Sequence, residues 1–161
     1  CLKGISELND PYIVVFIDGD YSDFPEELEK LIKPIEEGVA DFVLGSRMIL
    51  PESRKALLPQ ARYGNRLATF LIHLFFDHRF TDLGPFRAIR YESLKQLSMV
   101  DIDFGWTVEM QIKAVKHGLR IKEIPVHYRK RIGISKITGT ISGTIRAGVK
   151  IIYTIFKYLL V

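Results

Sequence analysis

Two carboxylates one residue apart, Asp18-Gly19-Asp20, close the run Tyr12-Ile13-Val14-Val15-Phe16-Ile17. The run is apolar, β-branched and aromatic, so it reads as a buried strand. Acids just past the carboxyl end of such a strand lie where α/β sheets place ligands. They are hard oxygen donors, suited to a divalent cation that also holds substrate phosphates. The competing reading is a polar turn. Asp23, beside Ser22, reads as the N-cap of a helix opening at Pro25. Gly45-Ser46-Arg47 ends a second short strand. There Gly45 permits close backbone approach and Arg47 could clamp a phosphate with two N–H groups, unless the stretch is a surface turn.

Further along, Thr81-Asp82-Leu83-Gly84 puts an acid at the mouth of the next strand. Asp82 is a candidate general base if it stands clear of the metal, and otherwise a turn residue. Trp106 and Glu109 share a helix face. Glu109 either serves the site or matches the helix dipole. Trp106 reads as core or interface before sugar platform. Arg129-Lys130-Arg131 with Ser135-Lys136 forms a basic segment before a long amphipathic helix: a phosphate or anionic-lipid site, or a solvated loop. His73, His78, His117 and His127 lack tight metal spacing and read as structural or surface residues.

Strands that alternate with helices must position these groups. Strands are expected over 12–17, 41–44, 84–90 and 119–128, with Pro125 marking an edge. Helices are expected over 61–76, 91–99, 105–117 and 140–161, with another from Pro25 that Gly38 ends. Residues 48–60 read as a loop. The pattern gives an α/β class with a mostly parallel sheet in one domain over 1–161. Residues 1–8 read as the tail of a helix, so the chain is expected to begin in mid-fold.

With 161 residues and 47% hydrophobic content, the chain can bury one real core. A net charge of +4 suits an anionic substrate or surface without requiring nucleic acid. Cys1 is the single cysteine, which excludes an internal disulfide and suggests a reducing, cytoplasmic setting. No apolar run reaches the ~18 residues of a membrane span, although a peripheral role for 140–161 stays open.

Taken in order, the pieces Asp18-Gly19-Asp20, 41–47, Gly64-Asn65, 81–87, 105–110, 123–126 and 131–137 resemble a family 2 inverting glycosyltransferase. The resemblance is to the branch of polyprenyl (dolichyl) phosphate mannosyl- and glucosyltransferases. It implies a GT-A fold and a nucleotide-diphosphate sugar donor. Asp18 and Asp20 would hold Mg²⁺ or Mn²⁺ against the diphosphate, with Ser46 and Arg47 near the donor phosphate. Asp82 would stand near the acceptor as base or positioner, with Glu109 as a second catalytic acid. Arg131, Ser135 and Lys136 would hold the phosphate of a polyprenyl phosphate acceptor at the cytoplasmic membrane face.

Measured against that family, the chain is expected to lack the opening βα units, at ~30 residues per βαβ unit something like 60–80 residues. Gly19 replaces the commoner Ala, and Ser22 stands where relatives often carry Gln as an extra metal ligand, a place Asp23 could fill. Two alternatives stand beside the lipid acceptor: a soluble acceptor, and an inactive fragment that keeps the fold and oligomerises through exposed apolar surface.

Overall fold

The structure is a computed structural model that describes residues 2–130, 132 and 141–160. A short helix α1 (Leu2–Ser6) precedes strand β1 (Ile13–Phe16). A 3-10 turn at Pro25–Glu27 then runs into α2 (Leu28–Glu36), and β2 (Phe42–Ser46) follows. Next come α3 (Pro51–Ala56), α4 (Pro59–Phe76), β3 (Arg87–Arg90), α5 (Tyr91–Leu97), α6 (Trp106–Lys116), β4 (Ile121–Pro125) and α7 (Ile141–Leu160).

The class is α/β, as the alternation predicts. The sheet order is β1-β3-β2-β4, with β3 antiparallel to both neighbours and β2 parallel to β4. Three strands therefore point one way, and the expected predominance of parallel pairing gives way to a mixed sheet. The cause lies before β3. The 81–84 loop is anchored at the carboxyl end of β2, where Ser46 meets Thr81 at 2.6 Å and Arg47 meets Asp82. A strand that starts there can only run back through the sheet.

Among the described residues strand β4 pairs only with β2, so Pro125 sits on an edge, where its missing N–H costs least. Strand β1 forms the other edge of the described sheet. Only its Val14 is buried and the other three residues are half-buried, which corrects the expectation of a buried strand.

Alternating strand side chains feed two cores. Phe42, Leu44 and Ile89 face Ala68, Ile72, Leu94, Met110 and Ile155 of the helices on one side. Val43 and Ala88 face Leu31 and Ile35 of α2 on the other. Each such buried Val, Leu, Ile, Phe or Met side chain contributes about 1.5–3 kcal/mol. Gly38, at φ 69°, ends α2 in the left-handed conformation expected of a C-terminal glycine. The predicted loop over 48–60 holds α3 and the start of α4 instead. Pro51 and Pro59 sit in first turns, where a proline favours a helix.

Trp106 belongs to the core, 8% exposed, with its ring edge-on to Phe16 at 5.9 Å. Helix α7 runs through Gly143 and Gly148 without a break and is bolted to the fold. Tyr158 donates its hydroxyl to Glu109 at 2.6 Å, Lys150 pairs with Asp101 at 2.9 Å, and Phe156 meets Phe75 of α4. Glu109 is fully buried and also accepts from Val100 N, Asp101 N and Lys113. Burial pushes its pKa up, but these donors outweigh burial and hold it below the usual range. Removing one donor from a buried, charged acceptor costs about 1.5–3 kcal/mol. Tyr158→Phe is expected to lose that much stability in urea denaturation, with the fold retained.

Candidate active site

The acidic loop leaves β1 at its carboxyl end. Asp20 Oδ1 accepts from the Ser22 N–H at 3.0 Å and from the Ser22 hydroxyl. Tyr21 closes this turn at φ 67°, a conformation that costs a non-glycine residue about 1–2 kcal/mol. Arg129 holds Tyr21 in place: its Nε donates to the Tyr21 carbonyl at 2.6 Å, and its guanidinium lies over the Tyr21 ring.

The segment after β4 is stitched along the same loop. Asp23 and Tyr128 form a β-bridge, Arg129 N donates to Ser22 O at 3.0 Å, and Ile132 N donates to Asp20 O at 3.2 Å. One residue earlier than the bridge, His127 gives its backbone N–H to Glu27 at 2.7 Å, and its ring lies 2.8 Å from the same carboxylate. The basic segment thus begins as a lining of the acidic loop. Arg131, Ser135 and Lys136, expected to take the acceptor phosphate, lie outside the described residues.

Behind the acidic loop stands the pair Arg47–Asp82. Asp82 is fully buried and its oxygens accept four hydrogen bonds: from Arg47 N (2.9 Å), Arg47 Nε (2.7 Å), the second Arg47 terminal nitrogen (2.9 Å) and Leu83 N (2.8 Å). Burial alone would lower the Arg47 pKa, but Asp82 overcomes this and holds the guanidinium charged. The fork expected to clamp a phosphate clamps Asp82, and Arg47 stacks over Tyr128 at 5.1 Å. With every lone pair engaged, Asp82 positions Arg47 and has none to spare for a substrate proton. Gly84 permits this approach, because a Cβ there would meet Gly45 O at 3.0 Å and Arg47 Nε at 3.2 Å.

Several residues without a role in the sequence reading hold the 81–84 loop. Asn65 bridges Thr81 O and Leu83 N, Glu123 accepts from Thr81 and Asp82 N–H groups, and Gln111 donates to Asp82 O. Buried Arg87 donates to the Leu83, Gly84 and Thr107 carbonyls, and burial lowers its pKa to about 9. Ser46, fully buried, is spent on Thr81 and Met48 N. Asn65 and Glu123 stand in the motifs quoted above, but nothing local in the sequence says what they grip. Glu109 belongs to the separate network that fastens α7.

Asp23 departs from its expected role. The turn at Pro25 has Phe24 as N-cap with no side-chain cap bond. Asp23 is 2% exposed, and neither carboxylate oxygen completes a hydrogen bond of ordinary geometry among the described residues. Burial raises its pKa to about 6; Asp18 and Asp20 add to the rise, while Arg47 and the Asp18 backbone oppose it. The folded protein therefore takes up a proton at Asp23 before the unfolded chain does. Stability at this site is greatest below pH 4 and falls as pH rises to about 6. Asp23→Asn is expected to stabilise the chain by about 1–3 kcal/mol at pH 7.5 and by little at pH 4. Urea denaturation at the two pH values checks this.

Among the described residues no three acidic, histidine or cysteine side chains converge as a complete metal cage. The donor chemistry nevertheless fits a divalent cation shared with phosphates. Asp18 and Asp20 supply hard oxygens, and the field they share with Asp23 leaves a buried carboxylate that a nearby positive charge would relieve.

The profile of glycosyl transferase family 2 matches residues 1–98. An uncharacterized protein of Methanocaldococcus jannaschii is 31% identical over 137 residues, which cover 80% of this chain and 56% of that protein. An undecaprenyl-phosphate mannosyltransferase of Micrococcus luteus is 30% identical over 81% of this chain and 55% of its own length. A polyprenol monophosphomannose synthase of Mycolicibacterium smegmatis is 27% identical over 80% and 50%. The chain spans about half the length of the curated relatives it matches. An acidic loop at a strand end, backed by a buried arginine–aspartate pair, and these matches lead to one conclusion: the chain belongs to glycosyl transferase family 2.

Proposed function

We propose that this chain contributes the diphosphate-binding and acceptor-facing side of an enzyme that transfers a sugar from a nucleotide-diphosphate sugar, with inversion, to a polyprenyl phosphate. One observation carries the reading: the segment after β4 is hydrogen-bonded to the acidic loop at Arg129 N and at Ile132 N. The start of the basic segment and the acidic loop are thereby neighbours, which supports a diphosphate and an acceptor phosphate meeting here. The names of the Micrococcus and Mycolicibacterium relatives support the lipid acceptor.

Asp18 and Asp20 would hold Mg²⁺ or Mn²⁺, which would stabilise charge developing on the leaving diphosphate. Arg47, fixed by Asp82, forms the positive wall behind them. Arg131, Ser135 and Lys136 would orient the acceptor. In a single displacement an acceptor phosphate oxygen bonds to the anomeric carbon as the bond from that carbon to the diphosphate oxygen breaks. The nucleotide diphosphate leaves with the electron pair, which inverts the configuration. A phosphate dianion carries no proton to remove, so the chemistry asks for no strong base. That agrees with an Asp82 committed to Arg47.

Calorimetric titration of the chain with UDP- and GDP-sugars, with and without Mn²⁺, tests the donor site; metal-dependent binding is the expected result. Incubation with polyprenyl phosphate and with a water-soluble acceptor then tests the acceptor. Metal-independent binding would overturn the role of the acidic loop. Transfer to the soluble acceptor alone would overturn the lipid.

A further inference from the structure

The segment that leaves β4 is fastened before it reaches the acidic loop. Ser53 of α3, fully buried, donates its hydroxyl to Val126 O at 2.9 Å and accepts from Tyr128 N at 3.1 Å. Between these bonds lies His127. Its backbone N–H and its Nδ1 meet the Glu27 carboxylate at 2.7 and 2.8 Å. Its Nε2 lies 3.7 Å from Glu52 Oε1 on α3. Its ring stands edge-on to Phe24 at 6.0 Å, and the Arg129 guanidinium covers that same Phe24 ring at 4.3 Å. Lys30 of α2 pairs with Glu27 behind the contact.

The partners fix the tautomer. Glu27 is 7% exposed; burial pushes its pKa up, but bonds from Lys30 and His127 outweigh burial and hold it below the usual range. It is an anion that can only accept, so Nδ1 carries the hydrogen. A neutral His127 therefore turns the bare lone pair of Nε2 toward the Glu52 carboxylate. A protonated His127 turns an N–H and a positive charge toward it. One proton changes the contact with α3 from repulsive to attractive and makes the bond to Glu27 charge-assisted on both sides. Histidine is the side chain whose charge ordinarily changes between about pH 5 and 8.

We propose that His127, Glu27 and Glu52 form a proton-operated clasp that sets how tightly the segment after β4 is held against the acidic loop. The clasp joins the two at their roots. Glu27 ends the turn that follows the acidic loop, and His127 precedes Tyr128, Arg129 and Ile132, which bond to Asp23, Ser22 and Asp20. What the clasp positions is Tyr21. Arg129 holds its carbonyl and its ring, and a left-handed backbone at a non-glycine residue persists only while its surroundings fix it. The clasp is closed at lower pH, and loss of the proton loosens the turn between Asp20 and Ser22. Asp23, across the bridge from Tyr128, gains charge over an overlapping range beside Asp18 and Asp20 and acts in the same direction, so the variants below separate the two groups.

Amide hydrogen exchange at Arg129 and Ile132, corrected for intrinsic rates and read against the amides of β2, measures this hold at about pH 6 and about pH 8. Metal and donor are left out, so the clasp stands or fails separately from the sugar-transfer reading. The wild type is expected to lose protection at both amides by about three- to tenfold over this range, as suits one half-exposed charge pair and one charge-assisted bond. Asp23→Asn, which carries no titrating carboxylate, should keep the response. His127→Gln should abolish its own share, leaving only what Asp23→Asn removes. Glu52→Gln, a surface change, should reduce the response by at least about half while β2 stays protected. No response in the wild type overturns the proposal, as does a response that survives whole in His127→Gln or in Glu52→Gln. A response that vanishes in Asp23→Asn assigns it to Asp23 and overturns the clasp as well.

Discussion

Asp82→Asn is expected to lower the unfolding free energy by about 3–5 kcal/mol, the cost of leaving one member of a buried ion pair alone. The Asp82 side chain is 1% exposed and that of Arg47 14%, so water can replace little of what is lost. Asparagine keeps the shape but can accept at one oxygen only, and it turns an amide N–H₂ toward a guanidinium. The loss reaches further, because the Asp82 charge also supports buried Arg87. Arg47→Met placed on top of Asp82→Asn should recover part of the stability, since the unpaired charge is then gone. Urea denaturation of the two single variants and the double variant measures the coupling. A general base would behave differently: its asparagine variant would stay as stable as wild type and lose only turnover.

Asp20→Ala is expected to remove metal-dependent binding of nucleotide-diphosphate sugar, with affinity falling by more than about a hundredfold. Loss of a group that merely orients a metal ligand costs about 10–100-fold, and loss of a ligand costs more. Alanine also deletes the acceptor for Ser22 N and Oγ, so a loosened turn could mimic the effect. Asp20→Asn separates the two, because its amide oxygen still accepts from Ser22 while the charge is gone. Titration with Mn²⁺ and donor should show the asparagine variant nearly as impaired as the alanine variant. If Asp20→Asn binds like wild type, Asp20 shapes the turn and the metal role fails.

Much of the architecture was legible in the residue pattern. The apolar run 12–17 and the period-3.6 stretches at 61–76 and 105–117 gave elements of the right kind near the right ends. Local propensity and burial act over one or two turns of chain, and those are written in sequence. Residues 48–60 hold helical turns where two prolines suggest a loop, because proline is as much at home in the first turn of a helix. The same locality located the acidic loop, Arg47 and Asp82 at strand ends.

What each of those groups does was decided elsewhere. Strand β3 runs antiparallel because the 81–84 loop is held at the end of β2 by Ser46, Arg47, Asn65 and Glu123, which come from three separate stretches of the chain. That return makes Asp82 the partner of Arg47, where the residue types alone allowed a base. Asp23 reads locally as a cap, yet the fold buries it beside Asp18 and Asp20 with no ordinary hydrogen bond among the described residues. Glu109 reads as either a site acid or a match to its helix dipole, and α7, nearly fifty residues on, claims it through Tyr158. Sequence by itself determined the family, the elements and the chemistry available at each strand end, because these depend on neighbours along the chain. Only tertiary structure decided which charges are spent on one another and which are left for a ligand, because an ion pair or an orphaned carboxylate is set by distance in space.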